Sequence, residues 1–166
     1  MKCGTCDEDH EILDPIFHRP DAVVSLPSDQ RAARVKEGDD LCAISADSDA
    51  DVHRFFVRCL LKVPLLDAGG QTAWGIWAEV AESDFHQIVE KWSDPQQGEL
   101  PAMEARLANG IPRYPETVGL PVMLQLTGPT TRPDLTFDDS SVHPFVVECR
   151  HGVCTHRLME WLQDVR

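Results

Sequence analysis

Hydrophobic patterning is sharpest between His53 and Trp92. Phe55, Val57, Cys59, Leu61 and Val63 share one parity and Arg58 and Lys62 the other, the alternation of a strand with one apolar face. The turn-forming stretch Leu66-Asp67-Ala68-Gly69-Gly70 follows. Trp74, Ile76, Ala78 and Val80 then alternate with Gly75, Trp77 and Glu79, so the two runs predict an antiparallel hairpin. Ser83 caps a predicted helix in which Phe85, Ile88, Val89 and Trp92 fall at i, i+3, i+4 and i+7 before Pro95 stops it.

Outside this unit the signals are shorter. Ser28 opens a predicted helix through Val35, and Leu41-Cys42-Ala43-Ile44 reads as a strand. A short helix is expected around 102–108, closed by Asn109-Gly110, and strands at 122–126, 135–137 and 145–149. Thr155 caps a last helix with the stripe Leu158, Trp161, Leu162 and Val165. The pattern predicts one α+β domain over residues 1–166: a mostly antiparallel sheet built on the central hairpin, with a few flanking helices and a Cys-rich N-terminal turn at 1–10.

Trp74 and Trp77 have opposite parity, so one faces inward and the other is available to line a surface groove, with Gly75 leaving room for a partner to approach. Arg113 and Tyr114, in the Pro-rich corner Ile111–Thr117, are the neighbouring candidates for ligand contact. The alternative is that both indoles are packing residues covered by the N-terminal segment or a helix, and that the corner is simply packed.

Charge narrows the classes of partner. With 15 Lys and Arg against 28 Asp and Glu, the chain carries a formal charge of −13 and repels phosphate backbones and anionic membranes. The expected partner is a protein or a small molecule, with no nucleic acid and no membrane. No apolar run reaches the length of a membrane span, and Met1-Lys2-Cys3-Gly4 is unlike a signal peptide, so the expected location is the cytoplasm. In a reducing compartment the six cysteines read as thiols or metal ligands rather than bridges. Cys59, alternating with core residues, reads as a small hydrophobe.

Cys3-x2-Cys6-x3-His10 is the local constellation with a chemical rationale. Two thiolates on a tight turn can grip one edge of a zinc ion while a histidine approaches from the next bend; the alternatives are an unligated surface turn and redox chemistry. A closed structural site needs a fourth ligand, either Cys42 or a member of the group Cys149, His151, Cys154 and His156. The acidic run Asp47-Ser48-Asp49-Ala50-Asp51 lacks the rest of a calcium loop, with Val52 where Gly is required, and reads as a solvated turn.

The chain resembles a mainly bacterial family, domain of unknown function 2199. The resemblance rests on Cys3-x2-Cys6-x3-His10, Asp40-Leu41-Cys42-Ala43-Ile44, Phe55-Phe56-Val57-Arg58 and Trp74-Gly75-Ile76-Trp77. It continues through Trp92 with Asp94-Pro95, the corner Ile111-Pro112-Arg113-Tyr114-Pro115-Glu116-Thr117, and His143-Pro144. It implies no activity. It does imply Cys3, Cys6, His10 and Cys42 as the ligand set, and it departs at Cys59-Leu60, where a Gly after the Arg is more usual.

Two readings of function follow. In the first, the chain is a non-catalytic interaction module with a structural zinc. In the second, it is a small hydrolase or transferase in which Cys3, Cys6 and His10 hold zinc and water occupies an open position.

Overall fold

The computed structural model describes residues 13–165. Its centre is the expected hairpin: β3 (Arg54–Pro64) and β4 (Gln71–Val80), in register from Phe55↔Val80 to Pro64↔Gln71. Gly69 and Gly70 take φ of +68° and +82°, a region open to glycine without strain, and so turn the chain between them. Ahead of the hairpin lie α1 (Asp21–Val24), α2 (Ser28–Arg34), β1 (Val35–Glu37) and β2 (Leu41–Ile44). Beyond it come α3 (Glu82–Lys91), β5 (Met103–Leu107), β6 (Pro121–Gln125), β7 (Asp134–Thr136), α4 (Pro144–His151) and α5 (Thr155–Asp164).

The expectation of a mostly antiparallel open sheet is corrected by how the strands close. Strands β3 to β7 follow one another by antiparallel pairing, and β7 returns to β3 through the parallel pair Leu60↔Asp134. Leu60 N–H donates to the Pro133 carbonyl at 2.8 Å beside that bridge. The result is an α+β fold around a closed, mixed, five-strand barrel, with β2 and β1 continuing outward from the other end of β3's edge. Five strands leave a narrow interior, and the small inward side chains of Cys59, Ala78 and Ala105 alternate with larger ones to fit it.

Two further segments differ from expectation. Residues 102–108 are good helix formers, yet Met103-Glu104-Ala105-Arg106-Leu107 is strand β5, with alternate residues buried. Its period of two matches a place between β4 and β6, and that packing overrides local propensity. Residues 145–149 read as a strand because of their Phe-Val-Val run, but form helix α4. Pro144 stands at its first position, and His143 caps it by accepting the Phe145 N–H at Nδ1. Of the expected serine and threonine caps, none accepts a helical N–H through its own side chain. Asp67 of the hairpin loop takes that role for α5, accepting from the Thr155 N–H at 2.9 Å and from its hydroxyl.

Burial divides into two cores on opposite faces of β4. The larger fills the barrel and takes in Trp74, Ile76, Phe145, Leu158 and Trp161. The smaller lies outside it, where Phe56 and Trp77 meet Val23, Cys42, Ile44 and Ala108. Burying a large side chain contributes about 1.5–3 kcal/mol before entropy is counted, so the outer core is a substantial reason for the N-terminal segment to lie across the barrel. Among the described residues no helix is long and apolar enough to cross a membrane.

Asn109 joins the two layers. Fully buried, it accepts the Trp77 N–H through Oδ1 at 2.9 Å and donates to the Arg19 carbonyl at 2.8 Å and the Asp21 carboxylate at 3.0 Å. Asn109→Ala leaves the Trp77 amide without its acceptor and should destabilise the chain by about 1–3 kcal/mol. Urea denaturation measures this, and an unchanged midpoint would mean that the amide finds another partner.

Candidate functional site

The groove expected beside the Trp-Gly-Ile-Trp strand does not form around those residues. Trp74 is wholly buried among Phe17, Phe145 and Trp161, with ring centroids 5.7, 6.0 and 5.1 Å away. Trp77 is 1% exposed in the outer core, and its indole N–H donates to the Phe17 carbonyl at 3.2 Å. The room left by Gly75 is taken by the chain's own Ile16, whose side chain would stand 3.3 Å from an added Cβ. Backbone bonds from Gly75 N–H to the Pro15 carbonyl and from Phe17 N–H to the Gly75 carbonyl hold the segment there. Both indoles are packing residues, covered by the N-terminal segment on one face and by helices on the other.

Cys3, Cys6 and His10 lie outside the described residues. Cys42 is 2% exposed in the outer core, and burial, helped by nearby Glu37, pushes its thiol up to about 11. Cys149 and Cys59 are buried and raised as well, by desolvation first. Among the described residues no group of three His, Cys, Asp or Glu is placed to hold a metal ion. The expected Cys-rich zinc turn therefore has no support from the described part of the fold.

Arg113 and Tyr114 belong to a polar network on the helical side of the barrel. The Tyr114 hydroxyl donates to Glu148 and accepts from Arg157 at 2.9 Å and Trp161 Nε1 at 3.2 Å. Arg157 also donates to Glu148 at 2.7 Å and Glu160 at 2.6 Å, and Arg113 reaches Asp164 at 3.1 Å. The corner carrying them has two non-glycine residues in the left-handed region, Arg113 at φ +68° and Glu116 at φ +42°. Such conformations cost on the order of 1–3 kcal/mol each and persist only when neighbours fix them. Here Thr117 accepts the Ile111 N–H and donates to the Asn109 carbonyl, and His143 bonds the Pro115 carbonyl at 2.6 Å. Because His143 Nδ1 accepts from Phe145, the proton sits on Nε2 and is donated to Pro115.

Tyr114 is the single tyrosine, so its ionisation can be followed alone. Burial first, and the bond to Glu148 second, push its phenol from 10.0 up to about 12. The folded value lies above the unfolded one. The neutral phenol therefore contributes its full stabilisation below pH 10.0 and loses it as pH rises to about 12. Alkaline titration by phenolate absorbance should give one transition near pH 12, and a midpoint near 10 would place the hydroxyl outside the network.

A cleft of about 600 Å³ opens where β4 passes into α3. Its floor is one transverse row of the barrel, Val80↔Ala105 and Ala105↔Val122, with Phe137 beside it and Met123 and Pro121 at the edge. Val80, Ala105 and Val122 belong to the barrel core, and their neighbours along the strands, Glu104, Arg106, Pro121 and Met123, face away from it. Charged groups make the rim. Glu79 accepts from Nε and Nη2 of Arg54 at 2.7 and 2.6 Å, and Arg106 donates to the Gly119 carbonyl at 3.1 Å. Asp138 accepts from the Ser140 hydroxyl and amide, which hold its carboxyl below the ordinary range, and Arg150 donates to its backbone carbonyl. Among the described residues, Asp84 and Glu104 have no hydrogen-bond or ion-pair partner. Sequence reasoning missed this cleft because its floor spans β4, β5 and β6, and the middle strand of the three reads as a helix from its local propensity.

Comparison with curated proteins returned no match, and neither did comparison with solved structures. The family model described as an uncharacterized protein conserved in bacteria (DUF2199) matches residues 2–153, nearly the whole chain. This chain therefore belongs to the bacterial family DUF2199, as its ordered short motifs suggest.

Proposed function

We propose that the chain is a non-catalytic binding module whose cleft at the end of β4 receives a small molecule. The observation that supports this best is a floor bordered by the apolar side chains of Pro121, Met123 and Phe137 and joined to two partnerless carboxylates, Asp84 and Glu104. Such a floor removes an apolar body from water while a few polar groups fix its orientation. The volume, about 600 Å³, falls within the range of roughly 300–1,000 Å³ typical of small-molecule sites. Asp138 fits binding better than proton transfer. Its bonds to Ser140 keep it charged near neutrality, whereas a general acid or base works best when poised close to the operating pH.

The test is an NMR titration of the full chain with mixtures of small organic fragments. Amide signals of residues 79–81, 104–106, 121–123 and 137–138 should shift together. Shifts centred instead on Asp40, Trp92 and Arg132, which line a second cleft, would overturn the assignment.

A structural zinc on Cys3, Cys6, His10 and Cys42 is a separate proposal, resting on sequence spacing alone. It expects zinc in the purified chain and its loss in both Cys3→Ser and Cys42→Ser. Retention in Cys42→Ser removes that residue from the set, and a zinc-free wild-type chain overturns the proposal.

A further inference from the structure

The second cleft, of about 460 Å³, lies where the outer edge of β3 passes from β2 to β7. Arg58 N–H donates to the Asp40 carbonyl on one side of this gap, and Leu60 N–H to the Pro133 carbonyl on the other, both at 2.8 Å. Leu60 and the half-buried Trp92, at the end of α3, supply apolar surface. A turn closed by the Thr131 N–H on the Gly128 carbonyl brings Pro129, Thr130 and Arg132 to the rim. Arg132 spans the gap through Nε, which donates to Asp40 at 2.6 Å, and its two Nη atoms have no partner among the described residues. Arg58 shares the outer face of β3 with Leu60. It forms no ion pair among the described residues: its Nε is buried without a partner, and Nη1 reaches only the Asp39 carbonyl at 3.4 Å.

We infer that this cleft binds a small aryl carboxylate, its oxygens between Arg132 and Arg58 and its flat body against Trp92 and Leu60. The inference stands apart from the ligand proposed for the cleft at the end of β4. Burial first, and the charge of Arg132 second, make the Arg58 guanidinium a weaker base, while Asp40 and Asp39 oppose them. Asp40 is already committed to Arg132, and Asp39 is exposed, where solvent screens it. The other charges nearby are paired, Lys62 with Asp134 and Lys91 with Asp94. One positive charge is therefore left over, and one carboxylate balances it while accepting from guanidinium nitrogens that now have no acceptor. The −13 of the whole chain opposes an anion only weakly at this range, because salt at 0.1 M screens charges beyond about 10 Å. An indole face favours an aromatic body, and the volume suits a small molecule.

Benzoate, benzyl alcohol and benzylamine, titrated separately into the full-length chain and followed by NMR, share a ring and differ in charge. Benzoate should shift the Trp92 indole N–H and the amides of residues 130–132 with affinity about tenfold above benzyl alcohol, and benzylamine should bind most weakly. Asp40→Asn removes the carboxylate that competes for Arg132 and should raise benzoate affinity several-fold, an effect that loss of a purely structural ion pair would not give. Arg58→Gln should weaken benzoate about fivefold and leave benzyl alcohol unchanged. Benzyl alcohol binding as tightly as benzoate, or benzoate affinity unmoved by both substitutions, would overturn the inference. Inorganic phosphate shifting the same signals while benzoate is silent would replace the aryl carboxylate with an inorganic anion and refute the class. Silence of all these probes at Trp92 would remove the site, whereas shifts at residues 79–81 and 104–106 bear on the other cleft alone.

Discussion

Strand β3 has one outer edge and two claimants for it. Residues 54–57 pair with β2, and Leu60, three residues on, pairs with β7. This division bends β3 away from a flat sheet and turns a five-strand meander into a ring. The bridge itself is slight: one parallel pair, a neighbouring backbone bond and the exposed ion pair of Lys62 with Asp134 at 2.6 Å. An exposed ion pair is worth about 0–1 kcal/mol, whereas each large buried side chain contributes about 1.5–3 kcal/mol. The enclosed core holds the ring shut, and the bridge marks where it closes.

Closure also explains why β4 has two buried faces. Its inward residues, led by Trp74, fill the ring, while its outward Trp77 is sealed by residues 13–26. Gly75 lets Ile16 approach the strand, and Asn109 satisfies the Trp77 backbone on the same side. On the helical side, Tyr114, Glu148 and Arg157 bind the strained corner to α4 and α5. Barrel, outer segment and helices are thus joined by the buried Asn109 and by the half-buried group Tyr114, Glu148 and Arg157, whose mutual bonds specify one arrangement among those that burial alone would permit.

Local patterning exposed the hairpin, α2, α3 and α5, because period and turn chemistry are properties of neighbouring residues. Strand β5 and helix α4 ran against it. Met-Glu-Ala-Arg-Leu has helical propensity and a strand's period, and Phe-Val-Val has the reverse conflict, resolved by His143-Pro144 at its start. A Pro after a capping residue was a signal present in the sequence and outweighed by β-branching. Closure through Leu60 and Asp134 has no local signature, so the barrel could not be read beforehand, and the cleft was hidden because β5, the middle strand of its row, reads locally as a helix. The Trp77 groove failed for a related reason: parity tells which face a ring takes, but not that a distant segment already covers that face.

A ring has no ends to extend. Sheets are prone to grow by recruiting a stranger's strand onto unpaired backbone, and in this fold β3 to β7 offer one another most of their edges. Among the described residues, the outermost strand of the sheet is β1, three residues long, with Lys36 and Glu37 exposed. So short and charged an edge is a poor template for fibril-like stacking. The same small strap, β7, that encloses the core therefore also limits self-association, and loosening it would create the sticky edge that the ring now hides.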